Sequence, residues 1–462
     1  MEVRAPRGFR DFLPAEASRR EHISYTIGQL FERAGYGLIE TPVLEALDVI
    51  QTGLHSSADD SFRFCDIDGR IVALRSDLTV PVARMVATRF TELAVPYRLR
   101  YAADVFTEAE QLRGQARHRT QLGIELIGAD GIDADAEIIR LVIDALREVG
   151  LVSFKVHVND EPARLGELLS ALDGEPYASH VVADESILRA RAYYTGMVFD
   201  VFAPRVGIAL GGGGRYDDVL AAFGRDLPAA GFGLDLQRIV EALQVADAEG
   251  GRGDKLRIAV PKATLFEGSL AALERAGLDV SVLRNPGRQL YFETDEAVFV
   301  LAKSNDVPVY VATGAVDCGI VGSDILLEED HEVLKLADLG FGAVTFVVAS
   351  PADDTRTLAR RALDQGVVRV ATKFPRITQR FFDEHGIQIE MVKINGSVEI
   401  APLIGIADVI IDITETGTTL RQNNLEVIDE VADSSAWFVA NPASARLNPA
   451  LLDLAQRIVG SV

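Results

Sequence analysis

Apolar positions along the first half of the chain recur with two different periods. From Ser18 to Ala34, the side chains of Ile23, Ile27, Leu30 and Phe31 fall on one face of a helix, and a second helix is predicted over about Ala134 to Val149. Short runs of strand length lie between and after them, the clearest at Arg70–Leu74, Tyr97–Tyr101 and Val152–Val158, with a strand pair at Met197–Phe202 and Val206–Leu210. This mixture predicts an α+β domain built on an antiparallel sheet. In the second half the rhythm becomes regular. Strands are predicted at Arg257–Val260, Asp279–Val282, Cys318–Val321, Ala343–Ala349, Arg369–Ala371 and Val409–Ile413, separated by helical patterns. That alternation predicts a two-lobed α/β domain, in which ligands sit beyond the carboxyl ends of the strands.

The two rhythms meet at a polar, glycine-rich stretch from Ala246 to Asp254, between the end of a helix at Gln237–Val245 and a strand beginning at Leu256. The predicted division is therefore residues 1–245, a linker at 246–254, and residues 255–462. A chain of 462 residues, 48% hydrophobic and 25% charged, has the composition of ordinary globular domains. Its net charge of −23 opposes adsorption to nucleic acid or anionic membrane. Cys65 and Cys318 match no metal-ligand spacing and suit a reducing compartment. No apolar stretch follows the basic N-terminus, so a cytoplasmic protein without membrane partner is expected.

The strongest chemical signal lies near the end. An apolar strand, Val409 to Ile413, carries Asp412 and runs into Thr414, Glu415, Thr416, Gly417, Thr418 and Thr419, with a helix predicted from Leu420 to Val431. A phosphate at that helix start would meet backbone N–H groups and the hydroxyls of Thr416, Thr418 and Thr419. Gly417 allows close approach of the backbone, while Asp412 and Glu415 suit ribose hydroxyls or a Mg²⁺ carried by pyrophosphate. A single threonine there would only cap the helix. The whole pattern after a buried strand points to a pyrophosphorylated ribose.

This loop, from Asp412 to Leu420, resembles that of ATP phosphoribosyltransferase, and further motifs follow the family's order. They are Ile258–Lys262, Asp306 to Pro308 with Asp317–Asp324, Ala371–Arg380 and Asn395–Pro402. The resemblance covers about Leu256 to Val462 and is closest to the family's short form, which lacks its own C-terminal regulatory domain. It implies a periplasmic-binding-protein-like two-lobed fold, Mg²⁺ brought by the substrate with no metal site of the protein's own, and phosphate or nucleotide contacts at Lys262, Asp317, Lys373 and Glu399. Arg376 is a further phosphate partner on the same reading. One departure stands out. Where the family continues Pro-Lys with Gly-Arg-Leu, this chain has Ala263, Thr264 and Leu265, which removes a fork-shaped donor. Arg288 in the neighbouring segment is the candidate replacement.

About residues 3–243 resemble the catalytic domain of histidyl-tRNA synthetase, a class II synthetase-like fold. Arg7–Pro14, Leu74–Thr79, Gln121–Glu125, Tyr193–Gly196 and Gly211–Asp217 carry the likeness in order, although four glycines alone often mark only a tight turn. Carried over by position, Asp77, Thr79, Gln121, Glu125, Tyr193 and Tyr194 line a histidine pocket. Thr107 stands where the synthetase has the arginine for the ATP α-phosphate, Ala192 replaces an aspartate, and Asp235 replaces a glycine of the third motif, whereas Arg189 and Arg238 remain. These changes oppose aminoacylation, as does the acidity of the chain.

The resemblance implies a synthetase-like regulatory subunit joined to a short-form transferase. The expected enzyme makes N1-(5-phosphoribosyl)-ATP and pyrophosphate, the first step of histidine biosynthesis, with histidine inhibiting allosterically from the N-terminal domain. It also implies a homo-oligomer, a tetramer of this chain. The rival from another class is a non-catalytic histidine or nucleotide sensor, which the altered Ala263–Thr264 segment favours and the complete phosphoribosyl loop opposes.

Overall fold

The computed structural model describes residues 5–54, 61–90, 94–108, 116–187, 194–249 and 255–460. The chain divides into two compact units, Met1–Arg252 and Gly253–Val462.

The N-terminal unit is organised on a mixed eight-stranded sheet. In spatial order its strands are Gly37–Leu38, Tyr97–Phe106, His118–Ile127, Ala229–Asp235, Gly211–Arg215, Val198–Phe202, Lys155–Asn159 and Val181–Ala183. Every neighbouring pair is antiparallel except the first and the last, which are parallel. The helices Pro14–Arg33 and Ile132–Glu148 supply Ile23, Ile27, Phe31, Ile138, Ile139 and Val142 to a core shared with Phe199 and Phe232 of the sheet. Both helices lie where the period of their apolar residues places them.

The expected strand at Val206–Leu210 does not form. Val206 and Leu210 are buried from a turn that follows Arg205, whose φ is 62°, and the strand is the next segment, Gly211–Arg215. Propensity disfavours glycine in strands, but here the sheet's neighbours decide. Both edges of this glycine strand are paired, with Ala229–Asp235 on one side and Val198–Phe202 on the other.

The C-terminal unit holds two sheets. The first has six strands in the order Tyr291–Glu293, Ala297–Ala302, Leu256–Pro261, Cys318–Gly322, Ala436–Ala440 and Leu334–Asp338. The second has five, in the order Ile389–Lys393, Val368–Thr372, Val409–Thr414, Val344–Pro351 and Leu425–Ser434. Each sheet has apolar clusters of its own. The chain crosses between the sheets twice, after Asp338 and again at Ser435. Register places both crossings at the carboxyl ends of the parallel strands: Gly322 pairs with Ala436, and Thr345 pairs with Thr414 while Val344 pairs with Ser434. The residues that follow those strands therefore converge on the crossings.

Two predicted elements are corrected in this unit. Asp279–Val282 is not a strand, because the Asp279 carboxylate accepts from the Ser281 amide at 2.9 Å and starts a 3₁₀ turn over Ser281–Leu283. The helix expected over Leu420–Val431 is only five residues, Thr418–Gln422, and Leu425–Ser434 is an edge strand. The spacing that suggested a helix has a physical source. Opposite Phe346–Val347 and Val348–Ala349 the strand carries irregularities in register, which skip Val431 and Ile428. Two such bulges convert alternation into apolar residues every three or four positions.

Candidate functional site

In the N-terminal unit a cavity of about 210 Å³ opens on the sheet. Its wall includes Thr79, Gln121 and Tyr194 among the predicted residues, and Arg119, Asp200, Tyr216, Asp235 and Arg238 besides. The glycine strand and Gly231 and Gly233 of the next strand form part of the lining. A Cβ on Gly231 would overlap Glu125 Oε2, and one on Gly233 would overlap Gln121 Nε2. Bare backbone at these two positions is what lets both side chains lie across the sheet.

Glu125 is 1% exposed and sits behind the lining rather than on it. Tyr216 donates to its Oε2, and Thr79 donates to its Oε1 at 3.3 Å. Burial pushes its carboxyl up to about 8, with the Tyr216 and Thr79 hydrogen bonds opposing and the nearby Asp77 adding to the rise. Asp77 is also buried, and its Oδ1 takes the Val80 amide at 3.4 Å. Structure thus brings Asp77, Thr79, Gln121, Glu125 and Tyr194 together but separates them into a wall and a buttress. Tyr193, like Arg189 and Ala192, lies outside the described residues. The Gln121 Oε1 atom is buried without a hydrogen-bond partner, so an incoming donor has a place to bind. Asp235 caps the helix Leu236–Glu249, accepting from the amides of Gln237 at 2.9 Å and Arg238 at 3.3 Å. The same carboxylate faces Arg119 at 3.6 Å and the Arg238 guanidinium at 3.5 Å, so the departure from glycine fills this side of the cavity with paired charge.

In the C-terminal unit Asp412 is buried near the end of its strand. Lys373 follows the adjacent parallel strand, in which Thr372 pairs with Ile411, and its ammonium lies 3.3 Å from Asp412 Oδ2. Burial raises the Asp412 carboxyl above its ordinary range, Lys373 opposes, and the charge of Glu399 adds to the rise. Glu399 Oε2 is buried without a partner. Two carboxylates and one lysine from three motifs therefore meet at one strand end.

Beyond Asp412 the loop is held by its own side chains. Thr414 Oγ1 accepts from the Gly417 amide at 2.8 Å, and Gly417 takes φ of 67°, the left-handed geometry that glycine adopts at little cost. The hydroxyls of Thr416 and Thr418 are 2.9 Å apart, and Arg421 donates to the Thr416 carbonyl at 2.9 Å. Glu415, Thr416, Thr418 and Thr419 are exposed. Leu420 differs from the others, because its side chain is packed in the core below the loop and only its backbone can serve a ligand.

Lys262 and Arg288 are exposed at the six-stranded sheet. Asp317 is not with them. It precedes the strand Cys318–Gly322 at the amino end, level with Arg257, roughly 15 Å of strand from the Lys262 end. Its carboxylate is occupied by the Arg257 amide at 2.8 Å and the Ser444 hydroxyl at 2.8 Å. Arg376 is also engaged elsewhere, with its amide capped by Glu328 at 3.1 Å and its guanidinium 4.0 Å from Asp330. Lys303, which no motif singled out, and Asp324, named only as the end of a motif, also follow strands at the carboxyl edge. The rule that ligands gather there could have selected them.

Residues 303–460 match the family profile described as ATP phosphoribosyltransferase, and residues 8–161 and 157–239 match that of histidyl-tRNA synthetase. An ATP phosphoribosyltransferase of Rubrobacter xylanophilus is 49% identical over 195 residues, spanning 42% of this chain and 90% of that one. Another, of Lactiplantibacillus plantarum, is 45% identical over 207 residues, spanning 44% of this chain and 92% of that one. A solved structure described as an ATP phosphoribosyltransferase regulatory subunit/histidyl-tRNA synthetase from Bacillus halodurans superposes with a TM-score of 0.50. Its identity is 23% and it covers 65% of this chain and 98% of that one, which shows the fold. The protein is accordingly a pentosyltransferase with a histidyl-tRNA-synthetase-like domain ahead of its transferase part. The chain belongs to the ATP phosphoribosyltransferase family: it forms N1-(5-phosphoribosyl)-ATP and pyrophosphate from ATP and phosphoribosyl pyrophosphate, the first step of histidine biosynthesis.

Proposed function

We propose that the transfer takes place in the crevice between two lobes of the C-terminal unit, and that histidine bound in the N-terminal cavity inhibits it. The carrying observation for the first part is the meeting of Asp412, Lys373 and Glu399 at the start of the threonine loop. Asp412 and Glu415 take the ribose hydroxyls, and the loop from Thr416 to Thr419 cradles the 5-phosphate. Lys373 pairs with phosphate oxygens once Asp412 has turned to the sugar. The site must then hold two polyanions close together and keep water out, since displacement at ribose C1 by N1 of ATP passes through an oxocarbenium-like state. Mg²⁺ supplies charge neutralisation for the leaving pyrophosphate. The unpartnered Glu399 Oε2 beside Asp412 is an oxygen donor of the kind that ion prefers.

For the second part the support is the cavity's size and lining. About 210 Å³ with an unpartnered amide oxygen, an aromatic wall and paired charges is a site for one amino acid. Thr79, Gln121 and Tyr194 are the contacts on this reading, with Glu125 and Asp77 behind them. Inhibition follows if histidine binds one conformation of the enzyme better than the other. No described helix is long and apolar enough to cross a membrane. A cytoplasmic homo-oligomer is what the family likeness implies. One assay tests the whole reading. ATP, phosphoribosyl pyrophosphate and Mg²⁺ are mixed with the full chain, and the absorbance of the N1-substituted product is followed with and without histidine. Product that histidine suppresses supports both parts. Product indifferent to millimolar histidine, about the upper end of metabolite-range constants, removes the regulatory one.

A further inference from the structure

The carboxyl edge of the six-stranded sheet carries more positive charge than its motifs account for. Pro261 pairs with Ala302 in parallel register, so Lys262 and Lys303, each the residue after its strand, stand side by side. The Lys262 amide confirms the alignment by donating to the Ala302 carbonyl at 2.9 Å. On the other side, Tyr291 pairs with Val300 in antiparallel register, and the Leu301 amide donates to the Leu290 carbonyl at 2.8 Å. Arg288 lies before that strand, in a turn closed by the Gln289 amide donating to the Pro286 carbonyl at 3.0 Å. Lys303 and Lys262 thus stand at the ends of adjacent strands, about 5 Å from strand to strand. Both are exposed, and neither side chain forms an ion pair or hydrogen bond with a described residue. In a chain with 69 acidic and 46 basic side chains, two such cations side by side stand out.

We propose that Lys303 is a substrate-binding residue for the known reaction, holding polyphosphate together with Lys262. Its charge compensates for the guanidinium missing at Thr264. The inference rests on the reading of Lys262 as a phosphate contact. Two ammonium groups on neighbouring strands repel each other in the empty enzyme, and that repulsion is relieved when a polyanion lies across both. Such a pair therefore favours a diphosphate or triphosphate over a monophosphate, and lysines supply it as point charges without demanding the fork geometry of arginine. The backbone after Lys303 is fixed by a 3₁₀ turn, Ser304–Asp306, in which the Asp306 amide donates to the Lys303 carbonyl at 2.9 Å. The stem of Lys303 consequently starts from a set position at the strand end.

Two substrates carry the required chemistry, the triphosphate of ATP and the pyrophosphate of the activated ribose, and kinetics separates them. Initial rates are measured on the full chain with each substrate varied at saturating levels of the other. Lys303→Met is expected to raise KM for one of them by about tenfold or more, the scale of a lost charge-assisted hydrogen bond, with a smaller change in kcat. Lys303→Arg is expected to restore KM to within about threefold. The substrate whose KM moves is the one held. Lys335→Gln serves as the control for bulk charge, because Lys335 lies on Leu334–Asp338, toward the amino end of the same sheet. If Lys335→Gln reproduces the shift, or if Lys303→Met leaves both KM values within about twofold while Lys262→Met raises one, the proposal is overturned. If neither Lys262→Met nor Lys303→Met has an effect, the reading of Lys262 fails with it.

Discussion

Replacing Ala263 with glycine stabilises the transferase unit. Ala263 has a φ of 63°, in the left-handed region where an L side chain crowds its own backbone at a cost of about 1–2 kcal/mol. It lies just after Lys262, at the turn from the strand Leu256–Pro261 into the 3₁₀ segment Ala263–Leu265, and its side chain is exposed. Glycine removes the crowding but has more freedom to lose on folding, worth about 0.5–1 kcal/mol against alanine. The difference leaves a net gain of about 0.5–1 kcal/mol. In urea the midpoint of the transferase unit moves up at unchanged slope, and by heat a gain of 1 kcal/mol in a unit this size is about 2–4 °C. Asn424, with φ of 55°, is the internal comparison: asparagine tolerates this region, so Asn424→Gly gains less. A variant Ala263→Gly no more stable than the parent, or a larger gain for Asn424→Gly, would show that Ala263 carries no such crowding.

Asp412→Asn removes the charge that meets Lys373 and, in the proposed site, the ribose, and kcat/KM falls by about 10- to 100-fold in the product-absorbance assay. Gly231→Ala places a methyl group on Glu125, so thermal unfolding moves down by several degrees and calorimetry shows weakened histidine binding. For Glu125 the folded pKa of about 8 exceeds the ordinary 4.5, so the fold keeps a proton that the unfolded chain releases. Its contribution to stability is complete below about pH 4.5, declines as pH rises, and levels off above about 8. Glu125→Gln lacks this decline, and urea midpoints at a series of pH values should show the variant gaining on the parent across that window. Asp317→Asn weakens the ties to Arg257 and Ser444, lowering stability by about 1–2 kcal/mol while both KM values stay within about twofold.

Much of the fold was legible because long apolar periods are local. The helices Pro14–Arg33 and Ile132–Glu148, and the strands around Ile258, Ile320, Val347 and Ile411, follow from spacing alone. What failed was decided by neighbours. Gly211–Arg215 is a strand because two flanking strands pair with it, and Leu425–Ser434 hides its alternation behind two bulges. The site shows the same division. Asp412, Lys373 and Glu399 come from three motifs that sequence order could assemble, and parallel register brings the first two level. Motif membership carried no sense of strand direction, however, and so could not separate Asp317 from the candidate site.

Strand direction also changes how the loss at Thr264 is understood. Read along the chain, the Ala263–Thr264 segment is a deficit, and it gave a non-catalytic sensor its main support. Read across the sheet, the position level with Lys262 is Lys303 on the neighbouring strand. A polyphosphate meets the edge as a row of charges and does not distinguish which strand supplies each one. The deficit is local in sequence while the binding surface is assembled by register. Cationic charge retained there, in the unit that carries the threonine loop on its other sheet, supplies the electrostatic stabilisation that transfer of a phosphorylated group requires.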